Sequence, residues 1–366
     1  MHRQIRVAVI ACFATLIGFA PAVSAQSRNE AFNNANDQAR ESWHLVMHQT
    51  PAPAEGCFHA SFPSTQWEKV ECAPAPAYRS ALPKVKDLEQ VIGNGSDFVA
   101  ETPSGSFFSS AVGSFPTVTG VTSEKSVGVP AFGDGGILGT NEYTLQVNTN
   151  FFHSAACGSY SGCFAWQQYV MSTNTPVSLS SSSLTDDTEV FIEYWLINYG
   201  KHSRSGANIC PSGFLDAGEY PGGPGDECVQ NTPATLIYKG QLPITDLAGE
   251  TLSGSAKSGG TDAATFTYGG DAYTATVKDS YTDIASGWSE AEFNVLGNAG
   301  GSEAKFNTSG VSITAKIALT YGSTSAPTCL SPSSEAGTTG ETNNLTAGSC
   351  TATGGSAPSI QFTETD

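Results

Sequence analysis

Acidic and amide side chains stand inside three apolar stretches of this chain: residues 164–170 (FAWQQYV), 189–196 (EVFIEYWL) and 291–295 (AEFNV). Each alternates bulky with polar residues and holds no Pro or Gly, so each is predicted as a β-strand with side chains pointing alternately to opposite faces. Gln167 and Tyr169 then share a face, opposite Trp166, Gln168 and Val170. Glu189, Phe191 and Glu193 share another, as do Glu292 and Asn294. Two chemistries fit such a set. A pair of carboxyl groups flanking a glycosidic bond hydrolyses sugars. A carboxylate that activates water, with an amide donor for the oxyanion, hydrolyses peptides. The third reading is a binding or structural sheet whose acids are solvated along edge strands.

Other site chemistries find little support. His44 and His48 have the helical spacing of a zinc pair but lack the Glu beside the first His, so no metal is expected there. His59, His153 and His202 stand apart in the sequence. No G-x-S-x-G occurs, so a nucleophile elbow is absent, and no glycine-rich loop joins a strand to a helix to cradle a nucleotide. The formal charge is −18, and loss of Arg3 and Arg6 with a leader takes it to −20. Nucleic acid is thereby an unexpected partner, because binding it rests on Lys and Arg neutralising phosphates. A surface this acidic loses most of its charge near pH 4, which suits an acidic working pH.

The elements that must position these residues are mostly short strands. The 366 residues open with a predicted signal peptide, 1–25: His2, Arg3 and Arg6, an apolar run from 7 to 20, then the small-residue site Val23-Ser24-Ala25. No later run is long enough to span a membrane, so a secreted or periplasmic chain is expected. Residues 26–50 read as a helix ended by Pro51 and Pro53. A stapled hairpin from Cys57 to Cys72 and an Ala-Pro linker at 73–77 follow, and 26–90 is expected to be a pro-segment or a cap. From 91 to 366 abundant Gly, Ser and Thr and short strands between turn signals predict an all-β antiparallel sandwich. Inserts are expected at 173–187 and 200–232, with a low-complexity one at 322–358. Eight cysteines remain past the signal, an even count that reads as disulfides in an exported chain. The sequential pairing Cys57–Cys72, Cys157–Cys163, Cys210–Cys228 and Cys329–Cys350 is expected, each closing a local loop.

The order of four segments resembles the eqolisin-type glutamic peptidases, secreted acid proteases with a concanavalin-like β-sandwich. Residues 97–100 followed by 107–119 (FFSSAVGSFPTVT) are similar to the opening of that family's mature domain. Residues 157–170 (CGSYSGCFAWQQYV) are similar to its cysteine loop and glutamine strand, residues 189–195 to its D-A-W-Y-E-W-Y strand, and residues 289–295 (SEAEFNV) to its A-E-W-I-V-E strand. The family's W-V-G-I-D segment is QVNTN here, residues 146–150. A looser similarity connects the chain to neprosin-type peptidases, whose first catalytic glutamate would fall near Cys163, where no carboxylate stands.

The resemblance implies an acid endopeptidase with Gln167 and Glu292 as its dyad. Glu292 would deprotonate the attacking water and return a proton to the leaving nitrogen, while the Gln167 amide would donate to the oxyanion. Glu189, Glu193, Tyr169, Tyr194 and Trp195 would line the cleft. No cofactor or metal is implied, and the expected form is a monomer whose partner is a polypeptide substrate. A carbohydrate-active sandwich and a non-catalytic secreted protein are the alternatives.

Overall fold

The strands predicted from period-two alternation assemble into two large sheets packed face to face. A computed structural model describes residues 25–77, 97–130, 135–177, 183–220, 222–331 and 340–366, with the side chains of the first helix described from residue 35. The expected signal peptide lies outside the described residues, apart from Ala25, as do positions 78–90 of the expected pro-segment.

One sheet has ten strands. Its order is β2 (Glu68–Val70), β1 (Gly56–Ser61), β15 (Asp271–Lys278), β14 (Thr261–Tyr268), β13 (Thr251–Ser255), β4 (Ser110–Thr119), β18 (Ser312–Thr320), β23 (Ser359–Thr365) and β21 (Thr346–Ala347); β22 (Thr351–Thr353) also pairs with β23. The other has nine: β10 (Leu215–Glu219), β11 (Asp226–Asn231), β9 (Thr188–Tyr199), β8 (Phe164–Ser172), β7 (Tyr143–Thr149), β16 (Glu290–Gly297), β3 (Val99–Glu101) and β19 (Thr328–Leu330), with β12 (Thr235–Tyr238) also on β9. Pairing within both is antiparallel, so the fold is an antiparallel β-sandwich. A small third sheet joins β20 (Thr342–Asn343), β17 (Ser302–Phe306), β5 (Glu124–Gly128) and β6 (Gly139–Thr140).

The main core lies between the large sheets. Leu145, Val147, Tyr169, Met171, Ile192, Phe293 and Val295 of the nine-stranded sheet face Leu252, Phe266, Ile313 and Ile317 of the other. Full burial of each such side chain is worth about 1.5–3 kcal/mol. Two glycines permit the closest approach. A Cβ at Gly254 would stand 2.2 Å from the Tyr169 ring, and one at Gly113 2.1 Å from the Phe293 ring. Strands β7, β8 and β9 are also buried on their far face, where Trp166, Trp195, Ile197, Phe151 and Val229 form a second cluster.

The N-terminal part is built onto the ten-stranded sheet. Helix α1 (Ala25–Gln49) lays Trp43 and Met47 against Ala60 and Ala272. His48 of α1 is buried, with Nδ1 2.7 Å from Ser253 Oγ and Nε2 3.0 Å from Thr267 Oγ1. Burial pushes its pKa down to about 3, so it is a neutral anchor. Strand β1 pairs with β15 over six residues. The predicted Cys57–Cys72 hairpin is therefore an edge extension of the sandwich.

All four expected disulfides form. The expected inserts at 200–232 and 322–358 contain strands β10, β11 and β19 to β22, which the Gly- and Ser-rich composition concealed. No helix among the described residues is long and apolar enough to cross a membrane, and no group of three His, Cys, Asp or Glu among them is placed to hold a metal ion.

Candidate active site

Four polar residues line up across four neighbouring strands. Glu193 of β9 sits opposite Gln168 of β8, Gln168 opposite Asn148 of β7, and Asn148 opposite Glu292 of β16. Direct pairing puts their side chains on one face, the face turned away from the ten-stranded sheet. Neighbouring strands are about 4.8 Å apart, so the row spans about 14 Å of backbone from one acid to the other. All four are shut off from solvent.

The hydrogen bonds in the row run one way. Trp195, on the same face of β9, can only donate through its indole N–H. It donates to Glu193 Oε1 at 2.9 Å and to Gln168 Oε1 at 3.1 Å. The Gln168 NH₂ is thereby turned toward β7, where it donates to Asn148 Oδ1 at 3.0 Å and Gln146 Oε1 at 3.1 Å. Asn148 in turn aims its NH₂ at Glu292 Oε2, 2.8 Å away, and more weakly at Gln146 Oε1. Gln146 passes its own donor to Thr144. Both amides are oriented from the Trp195 end, and the chain of donors terminates on the Glu292 carboxyl.

Gln167 takes no part in this row, which corrects its expected pairing with Glu292. It lies on the opposite face of β8, between the sheets. Its NH₂ donates to Tyr169 Oη at 3.0 Å and Asp262 Oδ2 at 3.1 Å, and its carbonyl accepts from Thr282 Oγ1 at 2.6 Å. Burial holds the Asp262 carboxyl well above the usual carboxylate range. Tyr169 and Tyr194, expected as cleft walls, are corrected likewise: both belong to the inter-sheet core. Of the expected aromatic wall residues, Trp195 lies on the face that carries Glu292.

The two remaining expected acids separate along β9. Glu193 stands in the row. Glu189 is paired with Ser172, four residues away, and accepts from Thr175 Oγ1 at 2.8 Å. Burial raises its pKa. Asn148, Gln146 and Gln168 had not been singled out as site residues. The signal for Gln168 was present, because alternation already set it opposite Gln167. Both faces of β8 carry an aromatic residue and an amide, however, and composition alone does not say which face meets the other sheet.

No protein-family model and no curated protein matches this chain.

Proposed function

We propose that the chain is a secreted endopeptidase working in acid, with Glu292 as the water-activating carboxylate and Gln168 as the amide that supports the oxyanion. The observation that carries this reading is the in-register row joining Glu292 to Gln168 through Asn148, ordered from one end by Trp195. Glu292 on β16 and Gln168 on β8 stand two strands apart in one row, with Asn148 of β7 between them. Water-mediated peptide cleavage needs a base for the water and an amide donor where negative charge develops. The Gln168 NH₂, given to Asn148 and Gln146 in the closed row, would turn to the oxyanion once the face is uncovered. Glu292 takes a proton as water attacks the carbonyl and delivers one to the departing amine. Glu193 anchors the far end through the Trp195 indole. Four disulfides suit an oxidising, extracytoplasmic setting.

Sugar cleavage with retention is less well supported. It calls for two carboxyl groups about 5–5.5 Å apart, whereas two amides stand between Glu193 and Glu292.

The row is buried, so a polypeptide reaches it only in a form of the chain in which that face is uncovered. The test is digestion of a denatured protein across pH 2–8 by the chain before and after acid incubation, beside Glu292→Gln. Cleavage peaking below about pH 5 and abolished in the variant is expected, since the base role is typically worth ~10²–10⁴ in rate. No cleavage at any pH, or cleavage unaffected by Glu292→Gln, would overturn the reading.

A further inference from the structure

A second polar feature lies on the other side of the nine-stranded sheet and is independent of the proposed peptidase chemistry. A cavity of about 110 Å³ opens where the N-terminal hairpin meets the sandwich. Its lining includes Glu55, Cys72, Tyr194, Gln230, Thr276 and Tyr281. That volume exceeds one water's ~30 Å³ share of liquid and suits a group of a few heavy atoms.

Three observations define what the cavity would hold. Tyr194 is 1% exposed, and its hydroxyl has no hydrogen-bond partner among the described residues. Buried tyrosine hydroxyls ordinarily find one. The Tyr194 ring lies parallel to Tyr281, with centroids 6.0 Å apart, and Tyr281 is half-exposed at the cavity wall. Burial above all keeps this phenol un-ionised, with Asp262, Tyr281 and Glu55 acting in the same direction, and Glu55 is the carboxylate on the cavity lining. The Glu55 carboxylate lies 3.9 Å from Lys278 Nζ at the surface, and a bound cation would share it with that ammonium.

We propose that this cavity is a binding site for a small organic cation, an alkylammonium or the amine end of a larger molecule. An ammonium carries three donors and no acceptor. One reaches the Glu55 carboxylate and another a lone pair of Tyr194 Oη, while the Tyr281 face attracts the charge. The alkyl part lies against Pro233, Val277 and the Cys57–Cys72 disulfide. A neutral alcohol of the same shape lacks the charge, and a carboxylate is repelled by Glu55.

The experiment is calorimetric titration of the full chain with n-propylammonium chloride, beside 1-propanol and sodium propanoate, at constant ionic strength. Tyr194→Phe and Glu55→Gln are titrated in the same way, and circular dichroism confirms that both are folded. Propylammonium is expected to bind saturably with a dissociation constant in roughly the millimolar range, the scale open to so small a ligand. The alcohol and the carboxylate should not saturate. Each variant should weaken binding about tenfold, the value of one hydrogen bond to a charged group. No saturation by propylammonium at about 100 mM, equal binding of 1-propanol, or unchanged affinity in either variant would overturn the proposal; the first of these would mean that water alone fills the cavity.

Discussion

Gln167 and Gln168 are neighbours on one strand, yet they belong to two different polar systems. Gln167 is enclosed by the scaffold: both of its amide functions are used by Tyr169, Asp262 and Thr282, between the sheets. Gln168 is equally satisfied, in a row that starts at a donor-only indole, branches to Gln146, and reaches a carboxyl through Asn148. The first arrangement fixes how two sheets pack. The second holds an amide and an acid in a set orientation along one face of the sheet. Buried amides therefore do not announce their role by type or burial. What distinguishes them is the face they occupy: Gln167 bridges the two sheets through Asp262, whereas Gln168 lies in a row along the far face of one sheet that reaches Glu292 through Asn148.

The sharpest way to break this contrast is at its acidic end. Glu292→Gln should abolish cleavage, and the assay described above reads it. Gln168→Ala should lower kcat by about 10²–10³, as loss of one oxyanion donor does, while the variant stays folded. Cleavage within a few-fold of the parent would place the oxyanion donor elsewhere. Trp195→Phe keeps an aromatic ring, smaller than the indole, and removes the N–H that orients Gln168. A loss of about tenfold in kcat per folded molecule, the factor that goes with about 1.4 kcal/mol of a hydrogen bond, is expected beyond the stability lost to the smaller ring. A fall in stability with full activity would make the indole a packing residue only.

On the other side of the comparison the effect should be structural. Gln167→Ala leaves buried partners unsatisfied and should cost about 1–3 kcal/mol of stability, read by denaturant unfolding, with the rate per folded molecule unchanged. A broader effect belongs to the whole fold. Glu124, Glu227, Glu250 and Glu364 are buried, and burial pushes each up to about 8 from an ordinary 4.5. Because these folded values lie above the unfolded ones, the protonated forms stabilise the fold. Their contribution is complete below about pH 4.5 and lost as pH rises toward 8. The melting temperature should therefore be highest in acid and fall between pH 5 and 8. Glu227→Gln should flatten part of that fall, separating it from general charge repulsion. A melting temperature that rises over this range would contradict the assignment.

Much of this architecture was legible in the residues. Strands β8 and β9 were clear because long alternation without Gly or Pro admits one reading. An even cysteine count announced disulfides, but spacing does not choose among the 105 connectivities of eight cysteines; the expected sequential pairing is the one the structure forms. Strands β10 and β11 were hidden because LDAGE and DECVQN sit among Gly and Pro, and their strand character comes from pairing with each other and with β9. The site was half legible. Glu292, Glu193 and Trp195, expected in the cleft, do share one face of the sheet, but choosing between Gln167 and Gln168 requires knowing which face of β8 the ten-stranded sheet covers. That is settled by contacts such as Gly254 against Tyr169, between residues 85 positions apart. Asn148 carried no signal of its own and gained its place only through register.

The measurement that tests the central claim most directly is the pair Gln167→Ala and Gln168→Ala, each assayed for cleavage rate per folded molecule and for unfolding free energy. The account expects Gln168→Ala to lose rate and Gln167→Ala to lose stability with its rate intact. If Gln167→Ala loses the rate and Gln168→Ala keeps it, the row across β9, β8, β7 and β16 is not the site.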